Sequence, residues 1–503
     1  MSMKRRLRLA ASVLAVAATV TPAGAEDYKM TTPIAPGVAS PEFLETSIGL
    51  LRLDDGVPTD WSTDKIYDNL DRSRALQAYL LGIPIVNQVS MRNTLKQYGP
   101  VNTTDVIWED LVDSKTVELT ANDNVVYSFI WLDTTEGPLV VEIPPDVLGL
   151  IDDMWYRWVA DLGITGPDKG KGGKYLILPP GHTGEVPDGY FVVRPSTFGN
   201  WLPFRSFLNA EGDPKPGVEK VKETLRIYHL SDKDNPPDMK YVNLSGVPSN
   251  FVAPQDYAFW ELLNQAIQEE PPTGSDPTTL GLFASIGIEK GKPFAPDERM
   301  KKILADAANV GATTARALGY RMRERDGYIY SDGYWRKPFF GGYKFEVSPG
   351  VANLDGATFF YFLATGVTPA MAEEMVGEGS QYPWTALDAD GNPFDGGNTY
   401  RLRLPKDIPA KRFWSAIVYD TQTRSMLQTD QRFPSVSSQD EGVKVNEDGS
   451  VDVYFGPKAP KGMENNWVQT IPGKGWFMIL RLYGPLEAWF DQSWRPGEIE
   501  RVH

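Results

Sequence analysis

A single arginine interrupts an otherwise apolar run near the end of the chain. Arg481 lies within "GWFMILRLYGP", which starts at Gly475. Side chains alternate between the two faces of a strand, so Arg481 shares one face with Ile479 and Tyr483. The opposite face is apolar as well, which predicts that both faces are covered and that the guanidinium group is buried. Such a charge must meet a carboxylate or an anionic ligand, because an unpaired charge in an apolar interior is strongly destabilising.

Two carboxylates are the expected partners of Arg481. Asp420 ends the run "RFWSAIVYD", and Glu464 precedes a polar turn. A structural ion pair and a ligand-facing arginine both stay open as explanations. If the strand lines an active site, Asp420 or Glu464 would act as acid or base, and Tyr419 or Asn466 would orient the substrate.

Aromatic and amide side chains in the C-terminal half could complete a ligand site. Such rings often pack a core, but a concave sheet lined by Tyr, Trp, Arg and Asn is also how jelly rolls hold sugars or aromatic acids. The ligand-binding residues predicted on this basis are Arg481, Asn466, Trp467, Trp414 and Tyr400.

Other catalytic chemistry finds little support in the sequence. The chain contains no cysteine, and its three histidines, His182, His229 and His503, lack the spacing of metal ligands. The loop "DADGNPFDGG" matches a calcium loop at two positions, but Pro393 stands where the essential glycine belongs. The sequence therefore predicts no metal and no cofactor.

The first residues indicate export. Residues 1–25 combine a basic head with an apolar run from Leu9 to Val20 and the small-residue sequence "AGA" at 23–25, the layout of a cleaved secretory signal. The apolar run is shorter than the ~20 residues that span a bilayer. We therefore expect cleavage after Ala25, a periplasmic or secreted bacterial protein, and no membrane insertion after cleavage.

The charge balance narrows the range of partners. The chain carries 66 acidic against 50 basic residues, for a formal net charge of −16. This balance argues against nucleic acid and anionic lipid, which both require a positive surface. We expect a small-molecule ligand and no nucleic-acid partner, and an oligomer is compatible with the sequence.

The spacing of apolar residues predicts the helices and strands that position these side chains. A helix is predicted from Ser62 or Thr63, either of which can serve as its cap, to Leu81. A block of strands follows, separated by Gly, Pro and Asp turns, and predicts a β-sandwich. The predicted strands lie in "VELTANDNVVYSFIWLD", "GPLVVEIPP", "GKYLILPPG" and "GYFVVRPST".

After the predicted sandwich, the spacing of apolar residues indicates helices, and further along the chain it indicates strands again. Amphipathic runs predict helices across 254–325, the first of them stopped by Pro271 and Pro272. The pair Asp448-Gly449 predicts a hairpin turn before the next strand. The later predicted strands lie in "YRLRLP", "KRFWSAIVYD", "GSVDVYFGP" and "GWFMILRLYGP".

Several segments together resemble one bacterial family. They are "NDNVVYSFIWLD", "GGKYLILPPGHTGEVPDGYFVVRPST", "DADGNPFDGGNTYRLRLP", "RFWSAIVYD" and "NNWVQTIPGKGWFMILRLYGP". The halves of this family are known as domains of unknown function 1254 and 1214, and it has no settled chemistry. The resemblance implies an immunoglobulin-like N-terminal sandwich, a small orthogonal helical domain and a C-terminal jelly roll. The family's usual Asn-x-Asp-Thr-x-Tyr pattern is altered here to "NDNVVY" at 122–127.

The pattern and the resemblance together predict a mainly β protein with a small α insert. Its predicted segments are a signal peptide at 1–25, a leading helix and sandwich at 26–250, a helical domain at 251–335 and a jelly roll at 336–503. We expect the site on the jelly roll or at its junction with the sandwich, because pockets favour junctions. The first hypothesis is an envelope enzyme that acts on a small polar or aromatic molecule; the second is a non-catalytic binding or assembly protein of the cell envelope.

Overall fold

The computed structural model describes residues 29–502, which form two compact units, 29–69 and 70–502. The predicted signal peptide lies outside the described residues. The first unit contains a small antiparallel sheet and the start of a long helix. These elements are β1 (Phe43–Thr46), β2 (Gly49–Asp54), β3 (Val57–Pro58) and α1 (Asp60–Leu95).

Helix α1 differs from its prediction at both ends. It begins two residues before Ser62, whose hydroxyl oxygen accepts a hydrogen bond from the Arg52 backbone N–H at 2.8 Å and is therefore not the cap. It also continues beyond Leu81 and through Pro84. Val86 and Val89, which follow the proline, are fully buried. Packing of an apolar face stabilises a helix more than local propensity does, which explains why one lost backbone hydrogen bond does not end it.

The first part of the second unit is a pair of sheets. A six-stranded sheet has the order β14-β4-β6-β12-β8-β9, a four-stranded sheet has the order β11-β10-β7-β13, and β15 pairs with β5. The elements are β4 (Thr104–Ile107), β5 (Thr116–Val117), β6 (Val126–Asp133), β7 (Leu139–Ile143), β8 (Val147–Asp153), β9 (Trp158–Gly163), β10 (Gly173–Ile177), β11 (Phe191–Val193), β12 (Gly199–Ser206), α2 (Lys215–Thr224), β13 (Arg226–His229), β14 (Lys240–Asn243) and β15 (Ser249–Asn250).

The six-stranded sheet is covered on both faces. In β6, Ile130 and Leu132 pack into the core shared with the four-stranded sheet, whereas Phe129 and Trp131 pack into a different core on the opposite side. This division follows from the two-residue period of a strand. Alternate side chains of β6 and β12 therefore point away from the core shared with the four-stranded sheet. They point towards the helices and the C-terminal strands.

Helices follow these sheets, as the amphipathic pattern predicts. They are α3 (Ala258–Glu269), α4 (Pro277–Ser285) and α5 (Glu298–Tyr320). Helix α3 ends just before Pro271, and a side-chain carboxylate caps each of the next two helices. Asp276 accepts from the Thr279 N–H at 2.8 Å, and Asp297 accepts from the Met300 N–H at 2.7 Å.

The C-terminal part contains two further large sheets and completes a mainly β protein. One sheet has the order β18-β25-β21-β22, with β19 also paired to β25, and the other has the order β24-β23-β20-β26. The elements are β16 (Glu346–Ser348), β17 (Val351–Ala352), α6 (Leu354–Leu363), α7 (Pro369–Ala372), β18 (Ser380–Gln381), β19 (Trp384–Thr385), β20 (Thr399–Leu404), β21 (Ala410–Asp420), β22 (Ser435–Ser437), β23 (Val451–Gly456), β24 (Trp467–Gln469), β25 (Trp476–Pro485), α8 (Glu487–Phe490) and β26 (Glu500–Val502).

Strand β25 carries Arg481 and is buried along its whole length. Met478 and Leu480 pack into the core of the C-terminal sheets, whereas Ile479 packs into the large core on the other side. The prediction that both faces are covered is therefore confirmed. The predicted hairpin before β23 is wrong, because β23 pairs with β20 and β24 and the turn at Gly449 joins no hairpin.

Within residues 29–502, no helix combines the length and the apolar character that crossing a bilayer requires.

Candidate functional site

A cavity lies between the outward face of β6 and β12 and the facing side of β25. The space in it that a water-sized sphere can occupy is about 90 Å³. Small-molecule sites typically measure roughly 300–1,000 Å³, so side chains of the wall must move apart to admit a ligand larger than a few water molecules. Its walls are mostly aromatic or aliphatic, and the apolar side chains include Trp108, Phe129, Trp201, Phe339, Phe360 and Ile479.

Two arginines line this apolar cavity. Arg205 lies on β12 of the six-stranded sheet, and Arg481 lies on β25 of a C-terminal sheet. Their exposed fractions are only 9% and 5%. Side chains alternate between the two faces of a strand, and each arginine lies on the face that points away from the core of its own sheets. Both guanidinium groups are therefore directed to the cavity side.

The partners of Arg481 carry no formal charge. One terminal nitrogen, Nη2, donates to the Thr120 carbonyl at 2.5 Å and to the Tyr419 hydroxyl at 2.7 Å. The same nitrogen lies 3.5 Å from the Ala121 carbonyl oxygen. The guanidinium carbon lies 5.1 Å from the centre of the Tyr382 ring. These contacts orient Arg481 without neutralising its charge.

Arg205 is held in the same way. Its Nη1 lies 3.4 Å from the Tyr382 hydroxyl oxygen, and its Nη2 lies 3.9 Å from the Met371 sulfur. Its guanidinium carbon lies 5.6 Å from the centre of the Tyr127 ring. An arginine side chain stays protonated in proteins, so the cavity wall carries two positive charges. Their hydrogen-bond and ring contacts are to uncharged groups, and the nearby Asp123 carboxyl acts on Arg481 only through its charge when it is ionised.

Tyr382 lies between the two arginines. Its hydroxyl donates to the Ser380 hydroxyl at 2.7 Å and faces Arg205, while its ring faces Arg481. Burial raises the pKa of Tyr382, but the positive charges of Arg205 and Arg481 outweigh this effect and hold the pKa below its ordinary value. The phenolate form of Tyr382 is therefore favoured more than in an ordinary buried tyrosine.

An acidic side chain lines another part of the cavity wall. Glu118 is 3% exposed, and burial raises the pKa of its carboxyl to about 8, against the opposing effect of hydrogen bonds to the Leu119 backbone and the Thr365 side chain. Glu118 therefore retains its proton near neutral pH and can donate a hydrogen bond. Asp123, close behind Arg481, has a pKa raised by burial to about 7, and the Arg481 charge opposes that rise.

Several buried polar atoms of the wall have no protein partner among the described residues. They are Nε of Arg481, Oε2 of Glu118 and Nε1 of Trp201. Buried polar groups in proteins are nearly always hydrogen-bonded, so a cluster of unpartnered ones marks a place where a ligand or ordered water can bind. The three atoms offer two donors and one carboxyl oxygen.

A second pocket adjoins the cavity and reaches the surface. The two share Pro338, Phe339, Met371 and Tyr382 in their linings. The outer pocket also contains Lys337, which is exposed and positively charged. Tyr382 therefore belongs to the walls of both pockets.

Two family models match segments of the chain, and each segment contributes residues to the cavity wall. Residues 102–229 match the family model described as a protein of unknown function, DUF1254, and residues 379–487 match the model described as a protein of unknown function, DUF1214. The chain joins a DUF1254 domain to a DUF1214 domain. Arg205 and Glu118 lie in the first matched segment, and Tyr382 and Arg481 lie in the second.

A similar solved structure supports the fold. The VPA0106 protein from Vibrio parahaemolyticus is similar at 20% identity with a TM-score of 0.54, over 86% of this chain and all of that one. An uncharacterized protein from Burkholderia cenocepacia is 12% identical with a TM-score of 0.39, over 87% of this chain and 96% of that one. No curated protein matches the sequence significantly. The first similarity shows the fold alone.

The carboxylates predicted to pair with Arg481 lie elsewhere in the DUF1214 domain. Asp420 forms an ion pair with Lys474, and in the β21–β25 register it lies opposite Trp476, whereas Arg481 lies opposite Ser415. Five residues of strand separate these positions by ~17 Å. Glu464 is exposed in a turn, where its carboxylate accepts from the Gly462 N–H at 2.9 Å. Neither carboxylate lines the cavity, and the expected pairing is wrong.

Tyr419 is the predicted residue that the structure does bring to Arg481. Its hydroxyl donates to the Ala121 carbonyl at 2.7 Å and accepts from Arg481. It lies behind the guanidinium group and is not part of the cavity lining. Burial raises the pKa of Tyr419 above its ordinary value despite the nearby Arg481 charge. Tyr419 therefore positions Arg481.

The other predicted ligand-binding residues lie away from the cavity. The buried Asn466 donates to the Asp452 carbonyl at 2.9 Å. Trp467 donates to the Gly456 carbonyl at 2.9 Å. Trp414 and Tyr400 pack in the core between the two C-terminal sheets. The polar atoms named here are satisfied by backbone partners, which is typical of structural residues.

The described residues contain no group of three or more His, Cys, Asp or Glu side chains placed to hold a metal ion.

Proposed function

We propose that this protein binds a small anionic molecule with an apolar or aromatic body in the cavity between its DUF1254 and DUF1214 domains, and acts on it as an enzyme of the cell envelope. The observation that carries the proposal is the pair of buried guanidinium groups, Arg205 and Arg481, held by neutral partners on an apolar wall. A non-catalytic binding protein of the envelope is the alternative, and it would use the same cavity.

Electrostatics supports an anionic ligand. Burying a guanidinium group away from water is unfavourable unless hydrogen bonds and a counter-charge compensate. Thr120 and Tyr419 provide hydrogen bonds to Arg481 but no negative charge. A carboxylate, sulfonate or phosphate placed between Arg481 and Arg205 would supply it, and such charge-assisted hydrogen bonds are stronger than neutral ones.

The apolar lining of the cavity supports a ligand with an apolar or aromatic body. Trp108, Phe129 and Phe360 belong to the large aromatic core around the cavity. Aromatic walls favour apolar and planar groups, both through burial of apolar surface and through ring contacts. Recognition would therefore combine an anionic head at the arginines with an apolar body among the rings.

The finer architecture belongs to the same proposal. We infer that the paired sheets of the DUF1254 domain form an immunoglobulin-like sandwich and that the C-terminal sheets form a jelly roll, as the family resemblance implies. The sheet orders and the two separate cores support a two-layer arrangement in each half. In this arrangement the cavity lies at a junction, where pockets are common.

The first test measures discrimination between charged and neutral ligands. The fluorescent anion anilinonaphthalene sulfonate should bind the purified protein, and naphthoate should displace it far better than naphthylmethanol, which has the same rings without the charge. A buried charge contact is worth about 1.5–3 kcal/mol, so naphthoate should compete at least roughly tenfold better. Displacement titrations followed by fluorescence give both constants.

A surface arginine provides the matched control for this experiment. Arg323 on the protein surface is 76% exposed in its side chain, so Arg323→Met should leave the binding of the fluorescent anion unchanged. Equal competition by naphthoate and naphthylmethanol would contradict the anionic half of the proposal. Mass spectrometry of metabolites retained from a cell extract would then identify the natural ligand.

Export is the second part of the proposal and has its own test. The sequence of residues 1–25 supports cleavage after Ala25, so the protein from fractionated cells should begin at Glu26 and be found in the periplasm. N-terminal sequencing measures the start directly. Recovery of an intact chain starting at Met1 in the cytosol would contradict it.

A further inference from the structure

We infer that Tyr382 is the proton-transfer residue of the cavity, acting as a general base on the anionic molecule held by Arg205 and Arg481. This inference rests on the proposed function, because it assumes that the cavity is a ligand site. It selects the enzyme over the non-catalytic binding protein and assigns the step that the enzyme performs.

The position of Tyr382 supports this role. The residue lines both the cavity and the outer pocket, and its hydroxyl lies beside Arg205 while its ring faces Arg481. The hydroxyl already has a fixed orientation, because it lies 2.7 Å from the Ser380 hydroxyl and 3.4 Å from Nη1 of Arg205. A general base must reach the proton that it removes, and a fixed hydroxyl on the cavity wall meets that condition.

Charged groups from several elements act on this hydroxyl. Arg205 faces it from β12 and Arg481 from β25, and both favour the phenolate form. Burial raises the pKa of Tyr483 on β25 above its ordinary value, and the nearby Tyr382 adds to this rise. Tyr127 on β6 faces Arg205. Asp123 and Glu118 hold their protons more tightly than ordinary carboxyl groups because they are buried, which reduces the negative charge that would oppose ionisation of Tyr382.

The proposed step is a balanced proton transfer. The phenolate oxygen of Tyr382 takes a proton from a carbon or oxygen atom next to the anionic group of the ligand. The electron pair of the broken bond stays on the ligand, where the charges of Arg205 and Arg481 stabilise it. Nothing is oxidised or reduced, and the proton returns either to the ligand at another position or to solvent. The substrate class is therefore an apolar acid with an exchangeable proton beside its anionic group.

The first experiment measures ionisation of Tyr382 directly. The chain contains 22 tyrosines, so the ultraviolet absorbance of tyrosinate is compared between the wild type and Tyr382→Phe across a pH titration. The difference should show one tyrosine that ionises below the ordinary value of about 10. Adding the anilinonaphthalene sulfonate anion should move this titration to higher pH, because the anion offsets part of the arginine charge, but Tyr382 should still ionise below the ordinary value of about 10 in the complex. A difference titration at or above the ordinary value would overturn the inference.

The second experiment separates catalysis from positioning. Wild-type protein incubated with a cell extract should deplete at least one anionic metabolite, and Tyr382→Phe should retain that metabolite on the protein without depleting it. Phenylalanine keeps the ring and removes only the hydroxyl, which makes it the conservative variant at this position. Equal depletion by both proteins, or depletion by neither, would overturn the catalytic role.

The two proposals fail in different ways. If anilinonaphthalene sulfonate and naphthoate bind no better than neutral naphthylmethanol, the proposed function fails. If the anions bind with the expected preference while Tyr382 shows no low titration, only the catalytic inference fails and the non-catalytic binding protein is favoured.

Discussion

The Arg481→Met variant is expected to fold with nearly unchanged stability and to lose affinity for naphthoate by roughly 10- to 150-fold, the equivalent of about 1.5–3 kcal/mol. Methionine preserves much of the packing of the arginine stem. The lost hydrogen bonds leave the Thr120 carbonyl and the Tyr419 hydroxyl without one donor each, and both are neutral groups. Removing a desolvated charge offsets this loss, so the free energy of unfolding should change by no more than ~1–2 kcal/mol.

Arg432 provides a control with the opposite pattern. It forms an ion pair with Asp113, whose side chain is 3% exposed, and a second one with the exposed Asp110. Arg432→Met leaves the Asp113 carboxylate buried without its cation and should therefore destabilise the protein more than Arg481→Met does. Arg432 does not line the cavity, so binding of the anion should be unchanged.

Chemical denaturation and displacement titrations on the two variants decide the role of Arg481. The expected result is that Arg481→Met loses anion affinity but keeps its stability, whereas Arg432→Met loses stability but keeps its anion affinity. A loss of about 3–5 kcal/mol of stability in Arg481→Met with full anion affinity would show a purely structural arginine.

Much of the secondary structure could be predicted because it depends on local patterns. The runs in "YSFIWLD" and "WFMILRLY" alternate between two faces, and the structure places those faces in two different cores. Helix α5 follows its apolar spacing and begins after Asp297, which caps it. Helix α1 and the hairpin predicted before β23 were exceptions. Burial of residues beyond Pro84 extended the helix past the length that local propensity suggests.

The burial of Arg481 was predictable, but its partners were not. An arginine within an apolar strand indicates a buried guanidinium group, whichever residues are its partners. Which groups meet it depends on the register between β21 and β25 and on the loop that carries Thr120. Register and loop packing are tertiary features, and nothing near Arg481 in the sequence specifies them.

The other arginine of the cavity carried the same signal, which the sequence interpretation missed. Arg205 follows "NWLPF" in a run as apolar as that around Arg481. A systematic search for arginines inside apolar strands would have found both. Tyr382 and Glu118 show no comparable signal, because a tyrosine or glutamate near a turn is common on protein surfaces. Their roles follow only from the meeting of distant segments.

Buried acids give the fold an unusual dependence on pH. Asp105 on β4 is fully buried, and one carboxyl oxygen accepts from the Ser128 hydroxyl at 2.9 Å while the other has no partner among the described residues. Burial raises the pKa of Asp105 to about 8, against the opposing effects of the Ser128 hydrogen bond and the Lys222 charge. The folded state therefore holds a proton that the unfolded state, with a pKa of about 4, releases between pH ~4 and ~8.

Asp105→Asn is accordingly expected to stabilise the protein at alkaline pH and to have little effect near pH ~4. The contribution of this group to stability is present below the unfolded pKa and is lost as pH rises towards the folded pKa, because the unfolded state ionises freely in water while the folded state still holds its proton. Asparagine is neutral at every pH, so the variant should gain stability progressively up to pH ~8, by an amount on the order of several kcal/mol.

Urea denaturation of the wild type and Asp105→Asn at a series of pH values measures this gain as the difference between two stability curves. Asp448→Asn provides a control of opposite sign. Asp448 is exposed, and its hydrogen bonds to the Ser450 side chain and backbone lower its pKa to about 2, so its replacement should lower stability at neutral pH and have no effect in strong acid. Parallel curves for wild type and Asp105→Asn from pH ~4 to ~9 would show that Asp105 titrates normally in the fold. Such a result would also weaken the assignment of Glu118 as a carboxyl group protonated at neutral pH, because burial is the first cause of both shifts.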